Sequence, residues 1–410
     1  MPSSLDLERI MALSREYAHL GSDRIALSRH IGSSVDERRA VAAQVAMQAT
    51  LGRKLPAWAA AQVYIPSSLN LEQASSEETA LHKASLLRTE DRLIDLTGGM
   101  GVDFWAMAQV LDTAVYVEQS PELYTATRYN MPRLLSRGTQ HYIQGDSMAL
   151  LPELIKAYRP TILFVDPARR VDQQADKRVY AIEDCSPSLH ELLELVQHLG
   201  ADAPSRILAK LSPMLDVKHC LEHLPHISAV WAVAYRGEVK ELLLDIRPLE
   251  PSPSVEQVPL RSLDLLTEGR RHSYEGTFAQ EQEACPIAEE LGAYIYEPNG
   301  AILKLGMYQQ LGRSYGLAKL HQHTHIYTSR ELIEDFPGRI LRVEHIWPYQ
   351  SKLIKRLSRE LPAAQITCRN FPLGVDKLRQ QLKLRDSSRV TIVATTLHDG
   401  SHVLIETTRV

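Results

Sequence analysis

The chain has 410 residues, enough for two to four domains with cores of their own. Its 46 Lys+Arg against 50 Asp+Glu leave a formal charge of -4, which excludes a uniformly basic nucleic-acid coat. At 44% apolar and 23% charged residues the composition is ordinary for a globular protein and excludes wholesale disorder.

Residues 1 to 85 read as helical, with apolar residues three and four apart in the stretch that opens at Asp36. A helix starts near Ser75, which has capping-box spacing with Glu78. From residue 92 the texture changes to short apolar runs separated by helical segments. The runs begin at Arg92, Ala114, His141, Thr161, Arg206, Ala229 and Glu241. Strands that are apolar on both faces and alternate with helices predict a parallel, doubly wound sheet, with the last two runs forming a hairpin at its edge. Pro248, Pro251, Pro253 and Pro259 mark a linker, and a mixed region follows to 325. The end of the chain reads as α+β, with helices over 352–361 and 375–384 and a hairpin turning at Asp399-Gly400.

Neither long apolar stretch, Ala57–Ile65 or Ile227–Tyr235, approaches the ~20 residues of a membrane span. Met1–Glu8 shows no secretory pattern. Cys185, Cys220, Cys285 and Cys368 form no CxxC pair, so free thiols in a reducing cytoplasm are expected, and no zinc site. His321, His323 and His325 alternate, so in one strand they would share a face. With no further ligand nearby, no metal is expected there.

The chemistry is carried by strand ends. The first run closes on Asp95-Leu-Thr-Gly-Gly-Met-Gly-Val-Asp, a Gly99-x-Gly101 loop opening a helix, where backbone can approach a ligand closely. A dinucleotide fingerprint wants glycine at 104, and Phe104 stands there. Glu118 ends the second run and can accept both ribose hydroxyls of an adenosine. Asp146 follows the third run and Asp166-Pro167 the fourth. Each acid alone can be a helix cap. All four together converge where doubly wound sheets bind ligands.

This layout over residues 75–247 resembles the class I S-adenosylmethionine-dependent methyltransferases, a Rossmann-like fold with seven strands. The 72–83 and 93–103 segments, with Tyr296-Glu-Pro-Asn-Gly, Tyr327-Thr-Ser, Phe336-Pro-Gly-Arg and Arg369-Asn-Phe-Pro, look like bacterial members with a C-terminal THUMP-like domain. The resemblance implies a helical segment at 1–85, a methyltransferase domain at 86–250, a ferredoxin-like or mixed connecting domain at 251–325 and a THUMP-like domain at 326–410. It implies S-adenosylmethionine contacts from Asp95, Thr97, Gly98, Gly99, Gly101 and Asp103 for the methionine part, Glu118 for ribose, Asp146 for adenine and Asp166 beside the methyl group. The approach over Ser75–Thr79 is similar to that of trimethylguanosine synthases, which implies further contacts from Ser76 and Thr79.

THUMP modules elsewhere present RNA to a methyltransferase, so structured RNA (rRNA or tRNA) is the expected substrate by analogy. Two target chemistries stay open. Base-amine methyltransferases carry Asn/Asp-Pro-Pro and an aromatic residue, whereas Asp166-Pro167-Ala168-Arg169 lacks the second proline and the ring. Ribose 2′-O-methyltransferases use a Lys-Asp-Lys-Glu set, for which Lys83, Asp166, Lys210 and Glu241 are available. Asp166, Pro167 and Lys210 are the candidate catalytic residues, with Glu241 the expected partner of Lys210. Residues 326–410 hold 14 Lys+Arg and 9 Asp+Glu, a net of +5. There Lys352, Lys355, Arg356 and Arg359 recur at helical spacing, and with Arg369, Arg169 and Arg170 they are the expected RNA contacts. The alternative is an RNA-binding or assembly factor that keeps the cofactor site without turnover. No membrane association is expected.

Overall fold

The structure, a computed structural model, describes residues 6–169, 182–387 and 389–410, except for the side chains of Arg169, Lys352, Leu353, Lys355 and Ser358. Among the described residues no helix is long and apolar enough to cross a membrane, and all four cysteines are free. The chain divides into two compact units, 1–228 with 243–252, and 229–242 with 253–410.

Strands β1 (Arg92–Asp95), β2 (Thr113–Glu118), β3 (Thr139–Gln144) and β4 (Ile162–Val165) are followed by a two-residue pair, β5 (Ala168–Arg169) and β6 (Cys185–Ser186). Next come β7 (Arg206–Leu211), β8 (Ile227–Tyr235), β9 (Glu238–Ile246), β10 (Leu260–Leu265) and β11 (Arg271–Gly276). The large sheet has the order β11-β10-β8-β9-β7-β4-β1-β2-β3. Strand order reverses between β1 and β4, so the carboxyl ends of these two strands border the crevice where such sheets take ligands. Leu93, Ile94 and all of β4 are buried, as strands covered by helices on both faces require.

The expected seven strands are present and the hairpin is β8–β9, but it lies within the sheet and not at its expected edge. The sheet nevertheless holds nine, because β10 pairs in parallel with β8 and β11 pairs antiparallel with β10. Leu260, Ser262 and Leu263 are buried. Leu260–Leu265 is neither a continuous apolar run nor a clean alternation, and Arg271–Gly276 is almost wholly polar, so neither carries a clear strand signal.

The second sheet contains β12 (Tyr294–Pro298), β13 (Ala318–His321), β14 (Thr324–Ser329), β15 (Gly338–Pro348), β16 (Gln365–Arg369), β17 (Val390–Thr396) and β18 (His402–Arg409). Their order is β13-β14-β12-β15-β18-β17-β16. Helices Ser351–Glu360 and Val375–Leu382 cover it through Ile354, Leu357, Leu378 and Leu382, packed with Trp347, Ile392 and Leu404. Strand β14 runs across residue 325 and joins β12. His321 ends β13, whereas His325 lies in β14 beyond the turn at Gln322-His323. The three histidines therefore straddle a hairpin and do not line one strand. Burial, then Lys319, pushes His325 down to about 4.

In the first unit a buried ion pair braces β7. Arg206 donates through Nε and Nη2 to Asp245 at 3.0 and 2.9 Å, and through Nη1 to the Leu86 carbonyl at 2.7 Å. Asp245→Ala leaves the guanidinium buried without its counter-ion and is expected to cost about 3–5 kcal/mol. Arg247→Ala removes only a part-exposed partner of Asp245 at 3.3 Å, for an expected loss of about 1 kcal/mol or less. Urea unfolding of both variants checks the contrast.

Candidate active site

The loop after β1 is tied down on both sides. Thr97 donates its N–H to Asp95 Oδ1 at 3.0 Å, and its Oγ1 accepts from the Asp166 N–H at 2.6 Å, joining the ends of β1 and β4. Gly98 donates to the Val117 carbonyl at 2.9 Å. A Cβ at Gly98 would lie 2.1 Å from the Tyr116 ring, so only glycine passes there. Gly101 adopts φ +86° as the N-cap of helix Val102–Ala108, and a Cβ on it would meet Met131 at 2.7 Å. The absent third glycine has a packing explanation. Phe104 is fully buried, edge-on to Tyr116 and Tyr142.

Glu118 is set by backbone. Its Oε2 accepts from Gly99 N at 2.8 Å and its Oε1 from Ser120 N at 2.7 Å. Each carboxylate oxygen retains capacity for another donor, as binding vicinal hydroxyls requires. Asp146 Oδ1 caps helix Ser147–Tyr158 through Met148 and Ala149, at 2.9 and 3.3 Å. Its structural role as a cap and its place on the cavity wall coexist.

Two cavities open at these strand ends. One of about 390 Å³ is lined by Glu118, Gln119, Asp146, Met148 and Asp166, among others. The other, about 250 Å³, is lined by Ser75, Asp95, Gly98–Val102, Asp103, Asp166 and Lys210. Both include Thr97, Asp166 and Ala168 in their walls. The acids on one wall and the glycine-rich loop on the other suit a nucleoside continued by a cationic amino-acid tail. Asp95 is almost fully buried. Burial drives its carboxyl well above the ordinary range, Thr97 N–H opposes this, and the charges of Asp103, Asp166 and Glu118 push it further. A cation arriving beside it would relieve that cost.

The sequence reading named Lys83, Lys210 and Asp166 together and Asp103 as a cofactor contact, but did not place Asp103 between the two lysines. Asp103 lies between two lysines, with Lys83 Nζ 3.1 Å from its Oδ1 and Lys210 Nζ 3.1 Å from its Oδ2. Ser75 Oγ donates to the same Oδ2 at 2.9 Å. Lys210 Nζ also lies 2.6 Å from Asp166 Oδ2. Lys83 is fully buried on helix Glu77–Ser85, on the face it shares with Thr79, Ala80 and Ala84. A lysine at three- and four-residue spacing from small buried residues was the available signal. Burial pushes the Asp103 carboxyl up, but Lys210 and Lys83 outweigh it and hold it at about 2.

Other expected residues divide. The N-cap of helix Glu77–Ser85 is Ser76, which accepts from Thr79 N at 3.2 Å, so the cap lies one residue beyond Ser75 and is a single N-cap bond in place of the expected Ser75–Glu78 box. Ser75 instead reaches the cavity wall, where the resemblance had implied Ser76 and Thr79. Pro167 is half-buried between Asp166 and Ala168. For Lys210, the ion pairs described are with Asp103 and Asp166; the expected partner Glu241 is buried in β9. Arg170 and the side chains of Arg169, Lys352 and Lys355 lie outside the described residues. Arg356 and Arg359 are exposed, with Arg356 bonded to Glu360 at 2.6 Å and over the Trp347 ring. Arg369 Nη2 is 2.6 Å from the buried Glu297, which also pairs with Arg339.

The Asp103 clamp sets an acid dependence. Its carboxyl titrates at about 2 when folded against an ordinary 3.8. The stabilisation is complete above the ordinary value and is lost as pH falls through 2, about 2–3 kcal/mol in all. Between pH 4 and 2 the wild type is expected to lose about 1.5–2 kcal/mol more stability than Asp103→Asn, most of that total, measured by urea unfolding at each pH.

Residues 294–337 match a ferredoxin-like domain family, and residues 338–409 a THUMP domain-like family. An uncharacterised S-adenosylmethionine-dependent methyltransferase of Mycobacterium tuberculosis is 25% identical over 333 residues, covering 81% of this chain and 84% of that protein. A crystal structure from Porphyromonas gingivalis W83, named as a candidate methyltransferase, is 38% identical over 99% of both chains, with a TM-score of 0.88. That whole-chain match, the cofactor-shaped strand ends and the terminal domain together show that the chain belongs to the S-adenosylmethionine-dependent methyltransferases carrying a C-terminal THUMP-like domain.

Proposed function

We propose that this methyltransferase modifies structured RNA, rRNA or tRNA, at a ribose 2′-hydroxyl. The observation that carries the reading is the Lys83–Asp103–Lys210–Asp166 chain of ion pairs at the wall where both cavities meet. Three members of the Lys-Asp-Lys-Glu set weighed from the sequence stand in that chain, linked by Asp103. A base-amine site fits less well. Asp166-Pro167 is followed by Ala168 and Arg169, which offer no ring to stack on a flipped base.

The residues present fit the cofactor. Glu118 would take the ribose hydroxyls, Asp146 the adenine amine, and Asp95 with the Gly98–Gly101 backbone the methionine portion. When bound, S-adenosylmethionine supplies an electrophilic methyl group on a sulfonium. The protein's own part is to aim and activate the hydroxyl. Lys210, an ammonium between two carboxylates, is a donor. It stabilises negative charge developing on the attacking oxygen while Asp166 accepts the hydroxyl proton. In-line alignment of the two partners supplies much of the remaining rate.

Support for RNA comes from the second unit. Residues 326–410 carry a net +5, and the THUMP-like match lies within 338–409. Arg369, exposed at the end of β16 though paired with Glu297, would add a phosphate contact to that basic segment. The four free thiols fit a reducing cytoplasm.

Labelled S-adenosylmethionine incubated with total RNA from a strain lacking the protein is expected to give labelled RNA. Nucleoside mass spectrometry is expected to find the methyl group on ribose. Lys210→Ala is expected to lower the single-turnover rate roughly 100-fold or more with cofactor binding little changed. Label on a base would overturn the ribose assignment. Cofactor binding with no label in RNA would leave the non-catalytic RNA-binding alternative.

A further inference from the structure

The short helix Val217–His223 follows β7, the strand that carries Lys210. It places His219 and His223 one turn apart, their rings 3.9 Å from centroid to centroid. Glu183 reaches the same point from the turn before β6, with Oε2 3.4 Å from His219 Nε2. One donor atom from each residue lies within 4.8 Å of the other two, and no other such trio occurs among the described residues.

Three features favour a cation. Two imidazoles and a carboxylate form a zinc ligand set that leaves a fourth position for water. With bonds of ~2.0–2.1 Å, the donor atoms of a tetrahedral site stand roughly 3.3 Å apart. The Glu183–His219 separation of 3.4 Å already meets that spacing, so small side-chain rotations complete the set. His223 Nδ1 lies 2.9 Å from the His219 carbonyl, a contact only an N–H can make. This places the proton on Nδ1 and leaves the Nε2 lone pair bare, the arrangement found in metal-ligating histidines.

We propose that Glu183, His219 and His223 bind one zinc ion, which ties the return strand of the Asp166 loop to the helix that follows Lys210. Strand β6 begins at Cys185, directly after the Ile182–Asp184 turn, and pairs with β5 at Ala168 and Arg169. Asp166 therefore lies two residues from a ladder whose other strand the ion would anchor. The ion has a structural role, holding the loop, and stands outside the cofactor walls described above. The proposal is independent of the RNA assignment.

The test uses the untagged full chain, stripped with chelator and titrated with zinc chloride against a chromogenic chelator. The expected result is one zinc per chain with a dissociation constant of about 10 µM or tighter. Binding is expected to weaken roughly tenfold or more in His219→Ala and in His223→Ala, and less in Glu183→Gln. His321→Ala, in the other unit, is expected to bind as the wild type does. Far-UV circular dichroism checks that each variant folds. Zinc is expected to raise the melting temperature of the wild type and leave that of His223→Ala unmoved. Absence of stoichiometric binding by about 100 µM, or binding unaffected by His223→Ala, would overturn the proposal.

Discussion

One buried carboxylate determines how the catalytic half of this molecule is arranged. Lys83 and Lys210 are withdrawn from water, and a lone ammonium in such a place costs several kcal/mol. Asp103, gripped from opposite sides at 3.1 Å, makes their burial tolerable. Because the three residues come from helix Glu77–Ser85, helix Val102–Ala108 and β7, the clamp fixes the relative placement of all three elements. It also leaves Lys210 with a second bond to make, and that bond goes to Asp166.

The cofactor walls depend on a different principle, the reversal of strand order in a parallel sheet. Acids at the ends of β1, β2 and β4 and just beyond β3 meet at one rim because their strands are neighbours. Steric limits at Gly98 and the positive φ of Gly101 hold those two positions of the connecting loop to glycine. Asp166 belongs to both systems: its N–H is held by Thr97 and its carboxylate by Lys210. In the function proposed above, the loop that would bind the cofactor and the clamp that would activate the hydroxyl therefore meet at one residue.

What the sequence discloses and what it hides follow from distance along the chain. Asp95, Glu118, Asp146 and Asp166 were legible because each closes or directly follows an apolar run, so a local pattern reports their position. The two added strands were not, since the polar residues in Leu260–Leu265 and Arg271–Gly276 mask their pairing. The register of Ser75 against Ser76 was missed because both can cap a helix and only the fold decides which one turns inward. Lys83, Asp103 and Lys210 are far apart in sequence, and no local signal states that one carboxylate serves both amines. The family motifs at Glu297, Arg339 and Arg369 read as separate fragments until three strands bring them into one ion-paired group.

The central claim is that the Asp103 clamp serves methyl transfer by aiming Lys210 at Asp166, whereas cofactor capture rests on the neighbouring strand ends. The most direct measurement compares Asp103→Asn with the wild type twice, by equilibrium S-adenosylmethionine binding and by single-turnover transfer to RNA at saturating cofactor. The account predicts a cofactor dissociation constant within about threefold of wild type and a transfer rate lowered roughly 100-fold. A transfer rate within about threefold of wild type would contradict it.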